Sequence, residues 1–299
     1  MNRTHGMTRR EFVRHTMSTA LVAPALTGLG VEAFQARQPR TSLVTLVRDE
    51  RALNASHDVD PTVLGRMLDD TVMRATGERT PRDAWRSLFK PTDTVGVVAG
   101  VSLIPTHQEL VEAVRQRLAD AGIPPQQIRD VQHVRDMQNA IENVRASTAL
   151  LSLPALKAHW LTGLGTVLKN YIMFSGEPRR YHDQDNVNLG EIWTLPEVKG
   201  KTRLVLVDAL RPICDRGPQP DPRYMWDYKG LIAGTDPVAV ETIGLRIITE
   251  KRRALRGEEW PLFPPPLCVA AADERFHLGT SRMEEIKLQR AGWEGEALV

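Results

Sequence analysis

The chain has 299 residues, 41% hydrophobic and 25% charged, a balance that suits one large globular domain and excludes collagenous, disordered and polytopic membrane architectures. Lys and Arg total 39 against 37 Asp and Glu, too even for a nucleic-acid binder that relies on a basic surface. Two cysteines, Cys214 and Cys268, exclude a disulfide-dense scaffold and a four-cysteine metal module.

The first 33 residues read as an address. Thr8-Arg9-Arg10-Glu11-Phe12-Val13 has the form of a twin-arginine export signal, and a modestly apolar stretch follows from Met17 to Val31. That stretch is interrupted by Pro24, Gly28 and Gly30 and falls short of the ~20 residues that span a bilayer, so no stable membrane insertion is expected after cleavage. Cleavage is expected after Ala33, with Ala36 as a fallback. An uncleaved anchor and a buried amphipathic helix beginning at Arg9 remain as alternatives. The twin-arginine translocase is therefore an expected partner, and the expected location is periplasmic or otherwise exported. Arg3, Arg9, Arg10 and Arg14 outweigh Glu11 and Glu32 by two in this segment, which is the whole net charge of +2. Any cationic character of residues 34–299 is thus local.

Residues 34–299 alternate β-branched runs with amphipathic helical patterns, which predicts a single α/β domain with a mostly parallel sheet flanked by helices. A first strand covers residues 42–47. Asp60-Pro61 starts a helix whose apolar positions run from Val63 to Val72 and which Gly77 ends. Thr80-Pro81 starts a shorter helix, and residues 94–99 form a second strand. Thr106-His107-Gln108-Glu109 reads as a capping box opening a helix that Gly122 and Pro124-Pro125 stop. Strands are expected at 128–131, 149–153 and 203–207, the last two as buried runs. A helix is expected over about 163–173, and Asp236-Pro237 caps a long one to about Ala254. Residues 261–266 form an irregular loop, and 285–289 an edge strand.

Ligands of open α/β sheets gather beyond the carboxyl ends of the strands. The richest such segment runs from Lys157 to His182 and holds Lys157, His159, Gly163, Gly165, Lys169, Asn170, Arg179, Arg180 and His182. Glycines entering a helix bring backbone N–H groups and the positive end of the helix dipole towards an anion, and lysine and arginine add charge. An anionic small molecule is the expected ligand, although the spacing matches neither the P-loop nor the dinucleotide fingerprint. The plainer alternatives stay open: solvated lysines, a core histidine at 159, a helix-capping Asp208 and an exposed turn at Arg179-Arg180. His159, His182 and Asp208 offer an N/N/O set that Zn, Fe or Ni accept, so a His/Asp metal site is considered, with no diagnostic spacing. Serine chemistry has no support, and Cys214 and Cys268 can pair in an oxidising compartment.

On these residues the chain resembles the family catalogued as domain of unknown function 362, from about Thr45 to Gly292. The family's proline, K-x-H and downstream K-N match Pro154, Lys157, His159 and Lys169-Asn170. Its later arginine and histidine match Arg180 and His182, and its V-D and G-P match Val207-Asp208 and Gly217-Pro218. The stretch Ala233 to Val240 matches a G-x-D-P-V-A helix start. The resemblance implies an α/β fold and little settled biochemistry. Some members carry a ferredoxin-like insertion with Fe–S cysteines, which this chain lacks, so no such cluster is expected. The chain departs from the pattern at Ala99-Gly100-Val101, where K-P-N is common, and at Asp215, which replaces a glycine.

These readings converge on an exported protein that binds an anionic small molecule or a cofactor of unknown identity, with redox or group-transfer chemistry in view. Lys157, Lys169 and Arg180, with Asn170 and the glycines, would hold the anion. His159 or His182 would exchange protons, and Asp208 would orient a histidine or a metal. The alternative is a non-catalytic binding or assembly factor for a periplasmic complex.

Overall fold

A computed structural model describes residues 41–101, 103–131 and 136–299 of the chain. The export signal and its cleavage site lie outside the described residues.

Among the described residues, nine strands form one sheet: β1 (Ser42–Arg48), β2 (Val95–Ala99), β3 (Ile128–Asp130), β4 (Ala149–Leu153), β5 (Ala155–His159), β6 (Gly163–Leu164), β7 (Thr202–Ile213), β8 (Gly230–Gly234) and β9 (Ile286–Gly292). The main order is β3-β2-β4-β7-β8-β1-β9, with β5 on β7 and β6 on β5. Pairing is parallel except where β8 meets its two neighbours and where β6 meets β5. The helices are α1 (Pro61–Thr76), α2 (Pro81–Leu88), α3 (Gln108–Asp120), α4 (Met137–Ala146), α5 (Gly190–Trp193), α6 (Pro237–Arg256) and α7 (Cys268–Glu274). The expected mostly parallel sheet flanked by helices is therefore what forms.

Alternation along the strands divides the core between the two faces of the sheet. Leu151, Leu204 and Leu206 pack on one side with Leu64, Leu68, Trp85, Leu110 and Leu118 of α1, α2 and α3. Leu150, Val205 and Val207 pack on the other with Val240, Ile243 and Ile247 of α6 and with Tyr171. The long helices start where expected. Asp60 accepts from the N–H groups of Thr62 and Val63, and Asp236 from those of Val238 and Ala239, each just ahead of a proline that needs no partner. Gly77 and Gly257 close α1 and α6 in the left-handed conformation.

Four local expectations need correction. The capping box does not form: the Thr106 hydroxyl donates to Leu153 O at 2.6 Å and accepts from Gly100 N, and His107 takes the N-cap position without a side-chain cap. The expected helix at 163–173 is instead the short strand β6 followed by a 3-10 segment, Leu168–Ser175. Strand β7 continues six residues past Val207, because β4 pairs only with its first half and β5 takes over beside Asp208. Cys214 and Cys268 are both fully buried in the core and both free thiols, so they do not form a disulfide. Strands β5 and β8 and helix α4 are not apparent in the sequence pattern.

Candidate functional site

Strand β4 ends at Leu153, and after Pro154 the chain resumes as β5 further along the same edge of β7, with Asp208 N donating to Pro154 O at 2.8 Å. This offset carries Lys157 and His159 beyond the carboxyl ends of β2 and β4, where a parallel sheet presents its ligand site. Lys157 is buried, and its ammonium donates to Ile104 O at 2.8 Å. Burial pushes it down to about 8, against the pull of the nearby Asp208 charge.

The β5–β6 turn then folds back, and Gly165 N donates to Lys157 O. A Cβ on Gly165 would lie only 3.0 Å from His159, so glycine lets the turn pack closely on that ring. Gly163, at φ 72°, faces the backbone of Pro264 and Pro266 in the proline loop. Both glycines thus serve close packing. The backbone N–H groups that open the 3-10 segment are already engaged: Val167 N donates to Glu241 Oε2 at 2.7 Å and Leu168 N to Oε1 at 3.2 Å. An anion does sit at that helix start, and it is the buried carboxylate of α6. Burial raises Glu241 to about 7, although the two backbone donors pull it down.

The 3-10 segment is pinned from both sides. Asn170 Nδ2 donates to Val98 O at 2.7 Å and to Ser152 Oγ at 3.0 Å, which ties the segment to β2 and β4. Tyr171 stacks on Trp193 with ring centroids 4.2 Å apart, and Trp193 Nε1 donates to Leu168 O. The anchored segment presents Lys169, partly exposed, with its ammonium 3.1 Å from His182 Nε2. His182 is held in place because Asp183 N donates to Leu161 O at 2.6 Å across to the β5–β6 turn, with Asp183 itself at φ 54°. The His182 ring consequently lies nearly parallel to that of His159, 6.2 Å between centroids and 19° between planes.

Lys157, His159, Lys169 and His182 therefore converge from β5, the 3-10 segment and the turn after it. Among the described residues, His159, Lys169 and His182 form no ion pair with a carboxylate. The electrostatic outcome is uniform. Burial, then the charges of Lys169, His182 and Lys157, hold His159 down to about 2. Burial and Lys169 hold His182 down to about 4, against the pull of the Asp183 charge. Burial lowers Lys169 to about 7, with Cys268 pulling the other way and Lys157 reinforcing the fall. Hydrogen bonding also fixes the tautomers. His159 Nδ1 accepts from Leu161 N at 3.1 Å, so its neutral ring carries the proton on Nε2. His182 Nε2 accepts from Lys169 while that group is an ammonium, which places the imidazole proton on Nδ1.

Asp208 belongs to a second constellation. Its Oδ2 accepts from both His107 N and His107 Nδ1 at 2.7 Å, and its Oδ1 accepts from Leu210 N at 3.0 Å. Burial works against the His107 charge, but the hydrogen bond and charge of Asp208 prevail and the imidazole is held above its ordinary value. His107 borders a cleft of about 440 Å³ lined also by His57, Ile104, Arg211, Pro220 and Met225. His57 and Arg211 share Asp227 there, at 2.9 and 3.5 Å. The histidine that Asp208 orients is thus His107, which the sequence pattern placed only in a helix start. Among the described residues no three His, Cys, Asp or Glu side chains gather to hold a metal, so the His159/His182/Asp208 set does not form one.

Arg180 also stands apart. Its guanidinium pairs with Glu191 at 3.2 Å on the surface. Asp215, the departure in the G-P loop, pairs with buried Arg252 at 2.7 Å, and Gly217 after it packs on the Ala158 carbonyl where no side chain fits. Glu241 left a signal in the sequence that went unread: it is the single acid within the apolar run from Val238 to Ile248. His107 left none.

The fold and the converging bases define an α/β protein with an acid-poor basic site at the strand ends. Residues 108–246 match the model of the family described as domain of unknown function (DUF362). That match spans β3 to β8 and contains all the residues just described at the basic site. No curated protein and no solved structure matches the chain at a significant level.

Proposed function

We propose that this protein binds an anionic small molecule over the ends of β4 and β5, using Lys157, His159, Lys169 and His182. One observation carries the reading: buried bases meet here without carboxylate partners at His159, Lys169 or His182, where burying unpaired charge is expensive. An anion would supply the missing charge. The ammonium of Lys169, the Nε2–H of His159 and the Nδ1–H of His182 are its donors. Perturbed basic groups at a strand end also suit proton exchange, which supports group-transfer or redox chemistry as the use of the bound molecule. The Thr8–Val13 motif supports export by the twin-arginine route and action outside the cytoplasm.

The non-catalytic alternative has its own support. The end of β2 offers no side-chain chemistry at Gly100, whose N–H is used by Thr106 Oγ1 and Leu153 O. Native mass spectrometry and absorption spectroscopy of protein purified after export test the reading, with inorganic phosphate titrated by calorimetry. A bound species, or phosphate affinity, that falls at least tenfold in Lys169→Met supports it. Protein of apo mass that binds no phosphate overturns it.

A further inference from the structure

We propose that Lys169 is a carbonyl-reactive amine that condenses with the aldehyde or ketone group of a small anionic oxo compound, with His182 as its proton partner. This rests on the anion-binding reading above and names the substrate class for the same site.

Three features of the geometry point to it. Lys169 is partly exposed on a rigidly anchored segment, so its amine is both reachable and fixed. Its one hydrogen-bond partner among the described side chains is the acceptor nitrogen of an imidazole, not a carboxylate that would hold the proton on the ammonium. Lys157 adds a second positive charge nearby, and cationic neighbours together with desolvation are what make a lysine nucleophilic at neutral pH. Cys268 also faces it and pulls its value upward, but burial outweighs that pull.

The step balances without an oxidant or reductant. His182 Nε2 relays a proton from the Lys169 ammonium to solvent, and the freed amine adds to the carbonyl carbon. The C–N bond forms as the carbonyl π bond breaks, and the oxygen takes up the second amine proton to become a hydroxyl. The hydroxyl leaves as water with a proton returned through His182, and the nitrogen lone pair closes a C=N bond that keeps the third amine proton as an iminium. The anionic group of the substrate would lie in the field of Lys157, against the Nε2–H of His159.

Glyoxylate, an anionic aldehyde, is the probe. The full chain is incubated with glyoxylate and sodium cyanoborohydride at pH 7 for a short period, and peptides are mapped by mass. Lys169 should carry the reduced adduct at least tenfold above each of the exposed Lys90, Lys199 and Lys287. Glycolate, which lacks the carbonyl, should slow the labelling as a competitor. Lys169→Arg should abolish the dominant adduct, and His182→Ala, checked for folding by circular dichroism, should slow labelling at least tenfold. Labelling of Lys169 no faster than that of exposed lysines, or labelling of Lys157 instead, overturns the inference. If phosphate still binds in that case, the anion-binding reading survives; if phosphate does not bind either, both fall.

Discussion

Two basic constellations lie at the carboxyl ends of the parallel strands, and they differ in one ingredient. Around the cleft, every histidine has a carboxylate: His107 has Asp208, and His57 shares Asp227 with Arg211. Around Lys169, His159 and His182 have each other and the lysine and no ion pair, and the Asp183 charge does not offset burial at His182. The consequence is opposite in sign. His107 is held above its ordinary value despite burial, whereas His159 and His182 are driven down to about 2 and about 4. A buried base with its counter-ion is ordinary structural chemistry. A group of buried bases without one is destabilising, and destabilised polar clusters persist where function needs them.

Removing the acid from the balanced region should therefore cost most. Asp208→Ala strips two hydrogen bonds from His107 and one from Leu210 and leaves Lys157 without the nearby charge that favours it. Breaking a buried charge pair from one side costs about 3 kcal/mol, which urea denaturation would read directly. Nuclear magnetic resonance should show the His107 imidazole falling, since burial and Arg211 are then opposed by the Glu109 charge alone. If stability is unchanged, Asp208 does not hold His107 as a buried charge pair. Glu241→Ala should follow at about 2 kcal/mol, because two buried backbone donors lose their acceptor. Glu241→Gln, which keeps one acceptor oxygen, should recover much of that loss.

The acid-poor region predicts a change of the other sign. Unfolded Lys169 keeps its proton up to 10.5, but the folded residue releases it at about 7. Its penalty is therefore present in full below pH 7 and disappears between pH 7 and pH 10.5. Lys169→Met should stabilise the protein by roughly 1 kcal/mol below pH 7, less as pH rises, while phosphate affinity drops at least tenfold. Stabilisation without loss of binding would separate the lysine from the ligand.

The histidines give a smaller effect confined to acid. With folded values of about 2 and about 4 against 6.5, His159 and His182 withdraw stability as pH falls below 6.5. Glu241 acts oppositely, its contribution fading as pH rises from 4.5 towards 7. His159→Gln should flatten the decline in melting temperature between pH 6.5 and pH 4, and an unchanged slope would show that His159 is not the buried base described.

Much of this architecture was legible because it is written in short-range chemistry. Asp60-Pro61 and Asp236-Pro237 announce their helices, and the apolar run of residues 204–207 announces a strand covered on both faces. The basic segment from Lys157 to His182 was legible as composition. Its geometry was not, because it depends on contacts remote in sequence. Glu241 lies over seventy positions from the backbone groups it caps, and it converts an apparent anion nest at Gly163 and Gly165 into a filled one. His107 meets Asp208 from about a hundred positions away. Asn170 reads as a ligand-binding neighbour of Lys169, yet its amide spans to Val98 and Ser152 and holds the lysine's platform in place.

Arg180 offers the sharpest boundary on the comparison, because it belongs by sequence to the basic segment and by structure to neither region. Its side chain is 58% exposed and its partner, Glu191, is 29% exposed, so water and salt screen the pair. Glu191 also lies 3.8 Å from Arg275, which keeps a cation beside it when Arg180 is removed. An exposed ion pair of this kind contributes between nothing and about 1 kcal/mol, with the lower half of that range expected where a second cation stands by. Arg180→Ala should thus leave stability within about 0.5 kcal/mol and leave phosphate affinity unchanged, under conditions where Lys169→Met abolishes most of it. A tenfold loss of affinity in Arg180→Ala would mean that the guanidinium leaves Glu191 for the ligand, and the acid-poor site would then extend across the turn at Pro178–Tyr181 to include it.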